Sequence, residues 1–379
     1  MKIRIDAKLL TDLVSTASQA ISSRPANQTN ECVYLVAKNG EDTAQLSVLG
    51  QDSGISVMKC TRDVTVEEDG EAMIPAKTLL SFVSIMNGEL TLSVDGNFKC
   101  SIKCGSKKSN IAGIDPDHFS PSLPKPKEKH EASMSGEHFS KLVSSVIHCV
   151  DERNGRQVLT GVRFSFLNET GICEATGCDG FRLAICKKHA ECSEDFSATI
   201  PLNISKLIAK VMLDKEKIGF VFGDGIVVAE SFDTEICAAL LADGYPNVEK
   251  MMIHEGKLQF VANAEDLLDA VKMCNIAFGE IQKSLVVLDF STPCTVRVSA
   301  NSDFIQSTAD VDCGVVGALD GGNGQIAFSG EFLLEAIKAG MKYSGEVTMM
   351  INNCTSAAAI LPTGTDEYYQ LVLPVRRIK

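Results

Sequence analysis

The chain of 379 residues has no apolar run approaching the roughly 18 residues that span a bilayer. Its opening, MKIRIDAKLL, lacks the apolar core of a signal peptide. Neither a membrane protein nor a secreted one is expected, and the cytoplasm is the expected compartment. No pair among the 14 cysteines forms CxxC; Cys100 with Cys104 and Cys173 with Cys178 are close but lack zinc-ligand spacing. Most of the others sit in apolar runs, as Cys237 does in TEICAALL, where a thiol behaves as a small hydrophobe, and reduced structural cysteines are expected. HExxH, GxSxG, Walker A and a GxGxxG placed between strand and helix are all missing. The glycine cluster GALDGGNGQ lacks the Lys-Ser/Thr of a phosphate loop and reads as a surface loop. An enzyme would have to be assembled from Asp179 with Arg182, or from one of the six histidines with a cysteine; no catalytic residue, metal or cofactor is expected. Base is also short, 36 Lys and Arg against 49 Asp and Glu, for a net charge of -13. That balance argues against a protein that adheres to nucleic acid through clustered cations.

What is present is a soluble globular composition, 45% hydrophobic and 22% charged, in a chain long enough for two or three domains. Compared with itself, the chain shows a threefold repeat. Apolar residues at i, i+3, i+4, i+7 and i+11 recur as Leu10, Leu13, Val14, Ala17, Ile21; as Phe139, Leu142, Val143, Val146, Val150; and as Leu267, Ala270, Val271, Cys274, Phe278. Each is the buried stripe of an amphipathic helix. Four residues before each stripe stands a helix-capping side chain, Asp6, Ser135 and Asn263, at offsets of 129 and 128 residues. MIPAKTLLSFV, TIPLNISKLIAKV and AFSGEFLLEAIKA each run from a strand end into a second helix, with Ile74, Ile200 and Phe328 in step. GQDSG recurs as GCDGF and Phe119 recurs as Tyr245, while the third copy keeps only ANSD at 300–303. TAQLSVLG, LTLSVDG, IGFVFGDG and CTVRVSA read as antiparallel strands between turns. The fold expected is α+β, three tandem repeats of two helices and antiparallel sheets, with domains at 1–124, 131–250 and 256–379 and a proline- and charge-rich linker from Ser122 to His130.

The polar faces of the first helices are small, with Ser15, Thr16, Ser18 and Gln19, then Ser140, Ser144 and Ser145, then Asn275. The second helices add base, Lys206 with Lys210 and Lys338 with Lys342, each pair at i and i+4 and so on one face. Acid collects in strands and turns, at VEEDGE (66–71) and ECSED (191–195). Ordinary solvated helix faces would give the same charges. Geometry adds a constraint. Six helices lining a ring at about 10 Å spacing describe a circle roughly 19 Å across and leave about 9 Å free; twelve helices from two chains leave about 28 Å. A DNA duplex is about 20 Å wide. A dimer fits around it and a monomer does not. A ring held topologically needs only weak positive potential inside, with acid outside to discourage side-on binding, which removes the objection from net charge.

Taken in order, LTGVRFSF, ATGCDGFRLAI, DGYPNVEKM and the terminal YQLVLPVRR, set on that repeat, resemble the bacterial DNA polymerase III beta subunit, the sliding clamp, along essentially the whole chain. The resemblance implies a head-to-tail homodimeric ring of six similar domains, loaded on primed DNA by an ATP-driven clamp loader and tethering the replicative polymerase. It also implies an apolar pocket between the second and third domains for short linear peptides of polymerase and loader. By motif matching its residues would be Leu159; Cys178, Gly180, Phe181, Arg182 and Leu183 of the hairpin; Pro246, Lys250 and Met251; Ser329 and Phe332; and Leu371, Val372, Leu373, Pro374, Val375 and Arg376. Leu159, Leu183, Met251, Val372 and Leu373 would offer apolar area and Arg182 would orient the peptide. Phe181 replaces the family's common histidine and Lys250 an arginine, losing a planar fork. For double-stranded DNA, SSRPANQ matches a family loop and gives Arg24; DERNGRQ gives Arg153 and Arg156; helix spacing adds Lys206, Lys210, Lys338 and Lys342. Phosphate contact without base reading is the expected mode. The rival to weigh against a clamp is a repeat scaffold that binds proteins only, with the same pocket but no role for base on the helices.

Overall fold

The computed structural model describes residues 1–22, 28–40, 43–120, 126–127, 129–242, 244–276, 284–302, 305–319 and 324–376. Arg24, Phe278 and most of the linker stretch 122–129 lie outside the described residues. The same succession of elements occurs three times. The first is β1 (Lys2–Asp6), α1 (Ala7–Ala17), β2 (Cys32–Asn39), β3 (Ala44–Asp52), β4 (Ile55–Thr61), β5 (Thr65–Glu68), β6 (Gly70–Pro75), α2 (Ala76–Val83), β7 (Glu89–Val94), β8 (Lys99–Cys104) and β9 (Lys107–Ala112). The second is β10 (His130–Met134), α3 (Gly136–Val146), β11 (Gly161–Leu167), β12 (Ile172–Cys178), β13 (Arg182–His189), β14 (Glu191–Cys192), β15 (Phe196–Pro201), α4 (Leu202–Val211), β16 (Ile218–Gly223), β17 (Ile226–Glu230) and β18 (Thr234–Ala239). The third is β19 (Leu258–Asn263), α5 (Ala264–Ile276), β20 (Leu285–Asp289), β21 (Thr295–Asn301), β22 (Gln306–Gly317), β23 (Gln325–Ser329), α6 (Gly330–Gly340), β24 (Glu346–Ile351), β25 (Ala358–Pro362) and β26 (Tyr368–Val372). The long β22 stands in the third repeat where two short strands stand in the others.

The expected caps are all in place. Asp6 accepts from the Lys8 and Leu9 amides, Ser135 from His138, and Asn263 from Glu265 and Asp266. Each satisfies orphan donors of the first turn, worth about 1 kcal/mol. The first four positions of each apolar stripe are buried, and the Leu, Val and Phe side chains among them contribute about 1.5–3 kcal/mol apiece. The fifth position falls beyond the helix: α1 and α3 end at Ala17 and Val146, before Ile21 and Val150. Three further expectations are corrected. Ser145 is not on a polar face but fully buried, donating to the Lys141 carbonyl and sharing a 2.6 Å hydrogen bond with the Tyr343 hydroxyl. Lys342 lies two residues past α6, in a turn, so it does not share a helix face with Lys338. His130 opens β10 and is not linker.

The strands form three sheets, all pairings antiparallel: β5-β1-β7-β8-β9; β14-β10-β16-β17-β18-β4-β3-β2-β6; and β15-β11-β12-β13-β26-β25-β24-β19-β22-β21-β20-β23. By compactness the chain divides into two units, Met1–Ser140 with Glu191–Glu194 and Lys206–Leu240, and Lys141–Ala190 with Asp195–Ser205 and Leu241–Lys379. The middle repeat thus gives strands to both. In the first unit α1 and α2 pack together over a core that includes Ile3, Leu10, Leu35, Val48 and Leu92; in the second, α5 and α6 do the same over Phe260, Val286, Val298 and Phe328. The first glycine of the GQDSG and GCDGF motifs has a packing reason. A Cβ at Gly50 would lie 2.1 Å from the Ala17 carbonyl oxygen, and one at Gly177 2.4 Å from that of Val146, so only glycine lets each first helix end against its strand. Among the described residues no helix is long and apolar enough to cross a membrane. None of the fourteen cysteines is joined to another, and most are buried.

Candidate peptide-binding site

The β12–β13 hairpin is built around Asp179. Its Oδ1 accepts from the Phe181 amide at 2.8 Å and the Arg182 amide at 2.9 Å, the side-chain mimic of a turn that favours aspartate here. Gly180 takes φ +95°, open to glycine at no steric cost. Asn154, in the loop that carries Arg153 and Arg156, donates to the Asp179 carbonyl at 2.9 Å. The stretch is therefore a hairpin tip, not a catalytic carboxylate with a free arginine.

Beyond the tip the strand alternates. Leu183 and Ile185 face one side, opposite Leu371 and Tyr369 of β26, and join Leu159, Cys178, Tyr245, Met350 and Ala359 in an apolar cluster. The segment after the middle repeat lies against this cluster: Val248, Met252 and Ile253 pack on it, the Ile253 amide donates to the Tyr369 hydroxyl at 2.7 Å, and Tyr245 donates to the Thr176 carbonyl. Burial pushes the Tyr369 phenol up to about 12 and the Tyr245 phenol further, so both remain donors.

Arg182 faces the other way. Its guanidinium donates to Asp179 Oδ2 at 3.0 Å and to Glu335 of α6, and lies 4.1 Å above the Phe332 ring. Burial works against its charge, but the bonds to Glu335 and Asp179 outweigh it and hold the group protonated. Beside it, burial and then the Arg182 charge push the His148 imidazole down to about 4, while a hydrogen bond with Gln370 opposes the shift.

This alternation separates the residues that the sequence grouped. Leu159, Cys178, Leu183 and Leu371 share one face and are nearly sealed; Arg182, Phe332 and Val372 belong to the helix side. Val372 is wholly inside the third repeat's core and offers no surface, and Arg182 is spent on two carboxylates instead of standing free to orient a peptide. The accessible apolar area comes from Phe181 (63% exposed), Met251 (47%), Leu373 (42%) and Val375 (41%). Leu373 donates its amide to the Phe181 carbonyl at 2.9 Å and Val375 to that of Ala327 at 2.7 Å, so the last residues are pinned to the hairpin tip and to β23. Lys250 and Arg376 are exposed, Pro246 and Pro374 partly so, and Gly180 tops the turn. Ser329 ends β23 and precedes α6. Sequence reasoning missed Glu335: it lies 153 residues from its partner, and no local pattern links them. Arg153, Arg156, Lys206, Lys210, Lys338 and Lys342 are all exposed, the first two in the loop ahead of the turn that carries Leu159.

The fold that carries these residues is found in solved structures. The Bacillus subtilis DNA polymerase sliding clamp superimposes with a TM-score of 0.89 over 100% of both chains at 22% identity, and the Thermotoga maritima DNA polymerase III beta subunit with 0.86 over 100% of both at 19%. The fold is that of a DNA clamp. In sequence, the beta sliding clamps of Bacillus subtilis and Halalkalibacterium halodurans are 24% and 25% identical over 387 and 390 residues, covering 99% of this chain and 100% of theirs. The N-terminal domain of the DNA polymerase III beta subunit matches residues 1–124 and its central domain residues 133–247, together more than half of the chain. The chain belongs to the DNA polymerase III beta subunit family, the beta sliding clamps, and its function is that of a processivity factor, a non-catalytic subunit.

Proposed function

We propose that two copies of the chain pair head to tail into a closed ring around duplex DNA, tethering the replicative polymerase in the cytoplasm, and that polymerase and an ATP-driven loader dock short peptides on the surface around Phe181, Met251, Leu373 and Val375. The three repeats, 1–124, 131–250 and 256–379, are the ring's domains. A strand pairing used twice and left open once carries this reading. β18 pairs with β4, and β26 pairs with β13. The remaining members of these two strand classes are β9 and the first half of β22. Among the described residues β9 pairs only with β8, and 306–311 only with β21. The edges β6, β15 and β23, in contrast, are edges in every repeat.

An open edge that is partnered in both sister repeats calls for the same partner from another molecule. The two edges are chemically unlike. β9 opens with Lys107 and Lys108, whereas β22 carries Asp310, itself paired with Arg297, and Asp312. Unlike edges therefore attract and like edges repel. Ile85 near β9, and Ile305, Met273 and Ile276 near β22, are exposed apolar residues that such a contact would cover.

DNA would be met by Arg24, Arg153, Arg156, Lys206, Lys210 and Lys338 through phosphates, without base reading. Light scattering should give twice the chain mass of 40.7 kDa, and Lys107→Glu with Lys108→Glu should halve it. A wild-type monomer would refute the ring. On nicked circular DNA the loaded protein should be retained until the circle is cut; retention indifferent to cutting, or none at all, would favour a scaffold for proteins alone.

A further inference from the structure

The tip of the β12–β13 hairpin is held from three sides. Asn154 bonds the Asp179 carbonyl, the Leu373 amide bonds the Phe181 carbonyl, and Glu335 with Phe332 holds the Arg182 guanidinium. Only the last is ionic. Asp179 also binds that guanidinium, but it belongs to the same turn, three residues away, and cannot fix the turn against anything else. Glu335 can, because it stands on α6, an element anchored by Leu333, Ala336 and Ile337 in the core. The Arg182 side chain is 11% exposed and that of Glu335 38%, so the cation is enclosed while its partner is reachable from solvent.

We infer that Glu335 is a positioning residue for the peptide surface. It draws Arg182 to the helix side of the sheet, and strand alternation then holds Leu183 on the opposite face, with Phe181 ahead of it at the tip. A guanidinium held between two carboxylates and an aromatic ring is confined to one geometry, so the wall is ordered before a peptide arrives and the ordering need not be supplied on binding. Without the Glu335 charge, Arg182 keeps its in-turn partner and the Phe332 ring, and no ion pair ties the tip to α6. This inference rests on the peptide-docking reading above.

The test uses the full chain and one probe, a fluorescein-labelled hexapeptide selected on the wild-type protein by phage display. Glu335→Gln should weaken its binding about five- to twentyfold and speed hydrogen exchange at the Phe181 and Arg182 amides. The thermal midpoint should remain that of the wild type, and Glu335→Asp, which keeps the charge, should recover most of the affinity. Leu373→Ala, at an exposed side chain of the surface, is the control for the surface itself. If Glu335→Gln binds within twofold of wild type while Leu373→Ala has lost affinity, the positioning role is wrong and the surface stands. If neither change matters, the docking reading has failed and this inference with it. If affinity and thermal midpoint fall together, with no recovery by Glu335→Asp, Glu335 is a general stabiliser and the inference is overturned.

Discussion

The chain builds the same junction twice, and only one of the two gathers a large apolar cluster. In the first unit β4 meets β18; in the second β13 meets β26, in the same register, since the Cys60 amide reaches the Asp233 carbonyl and the Lys187 amide that of Glu367, both at 2.8 Å. At matching positions Leu183, Leu371 and Tyr369 of the second junction correspond to Ser56, Cys237 and Glu235 of the first. The apolar cluster on the first is accordingly small, Ile226, Val228 and Cys237, while the second gathers nine buried residues. The hairpin tips differ in the same way: Ile55 follows the turn in one, and Arg182, tied to α6, in the other. The backbone pairing is the same in both, and the side chains alone make the two faces differ.

The strongest way to break this difference is to write the first junction into the second. Leu183→Ser, copying Ser56, should cut peptide affinity more than tenfold. Because Leu183 is nearly sealed, it should also cost about 3 kcal/mol of stability, read from a denaturant melt. Leu373→Ala is the cleaner probe: the side chain is exposed, so affinity should fall about fivefold with stability within about 0.5 kcal/mol. A Leu183→Ser protein that melts early but binds peptide normally would make the two junctions functionally alike.

A second difference is the titratable group behind the hairpin. His148 is held near 4 by burial and by Arg182, with Glu335 and Lys342 also nearby, and the ordinary value is 6.5. Between those values the unfolded chain binds a proton that the folded chain does not, so stability falls as pH drops from 6.5 towards 4. The loss is at most about 3 kcal/mol, and no more is lost through this group below 4. Denaturant melts from pH 7 to 4.5 should show the decline, and His148→Gln should flatten it. An unchanged slope in that variant would place the proton elsewhere.

Much of this was legible in the sequence, for identifiable reasons. The helix stripes and their caps are local patterns of period 3.6, and the repeat multiplies each signal by three, so the α+β repeat could be read directly. The Asp179-Gly180 turn was likewise visible, because its hydrogen bonds span three residues. What sequence could not resolve was facing. Grouping Arg182 with Leu183 and Leu371 with Val372 puts neighbours together that a strand sends to opposite sides, and only the core shows which side is which. Long-range partners left no trace either: Glu335 for Arg182 and Tyr343 for Ser145 lie 153 and 198 residues away and meet only once the chain has folded. Lys342 failed for a local reason, since α6 stops at Gly340 and the i, i+4 rule stops with it.

That last point gives the smallest expected effect. Among the second helices, α2 has only Lys77, whereas α4 presents Lys206 and Lys210 and α6 presents Lys338. If these cations face phosphates in the ring, each contact removed should reduce the salt slope of DNA affinity by about one. Lys338→Ala should show that change. Lys342→Ala should show less, because its ammonium, placed beyond the helix, already donates to the Ser144 carbonyl at 3.3 Å. Equilibrium binding of each variant to a short linear duplex, repeated at rising salt, gives the comparison. Equal slopes for the two variants would mean that the end of α6 does not decide which lysine meets DNA, and that the charge of the second helices acts as a diffuse field instead of through single contacts.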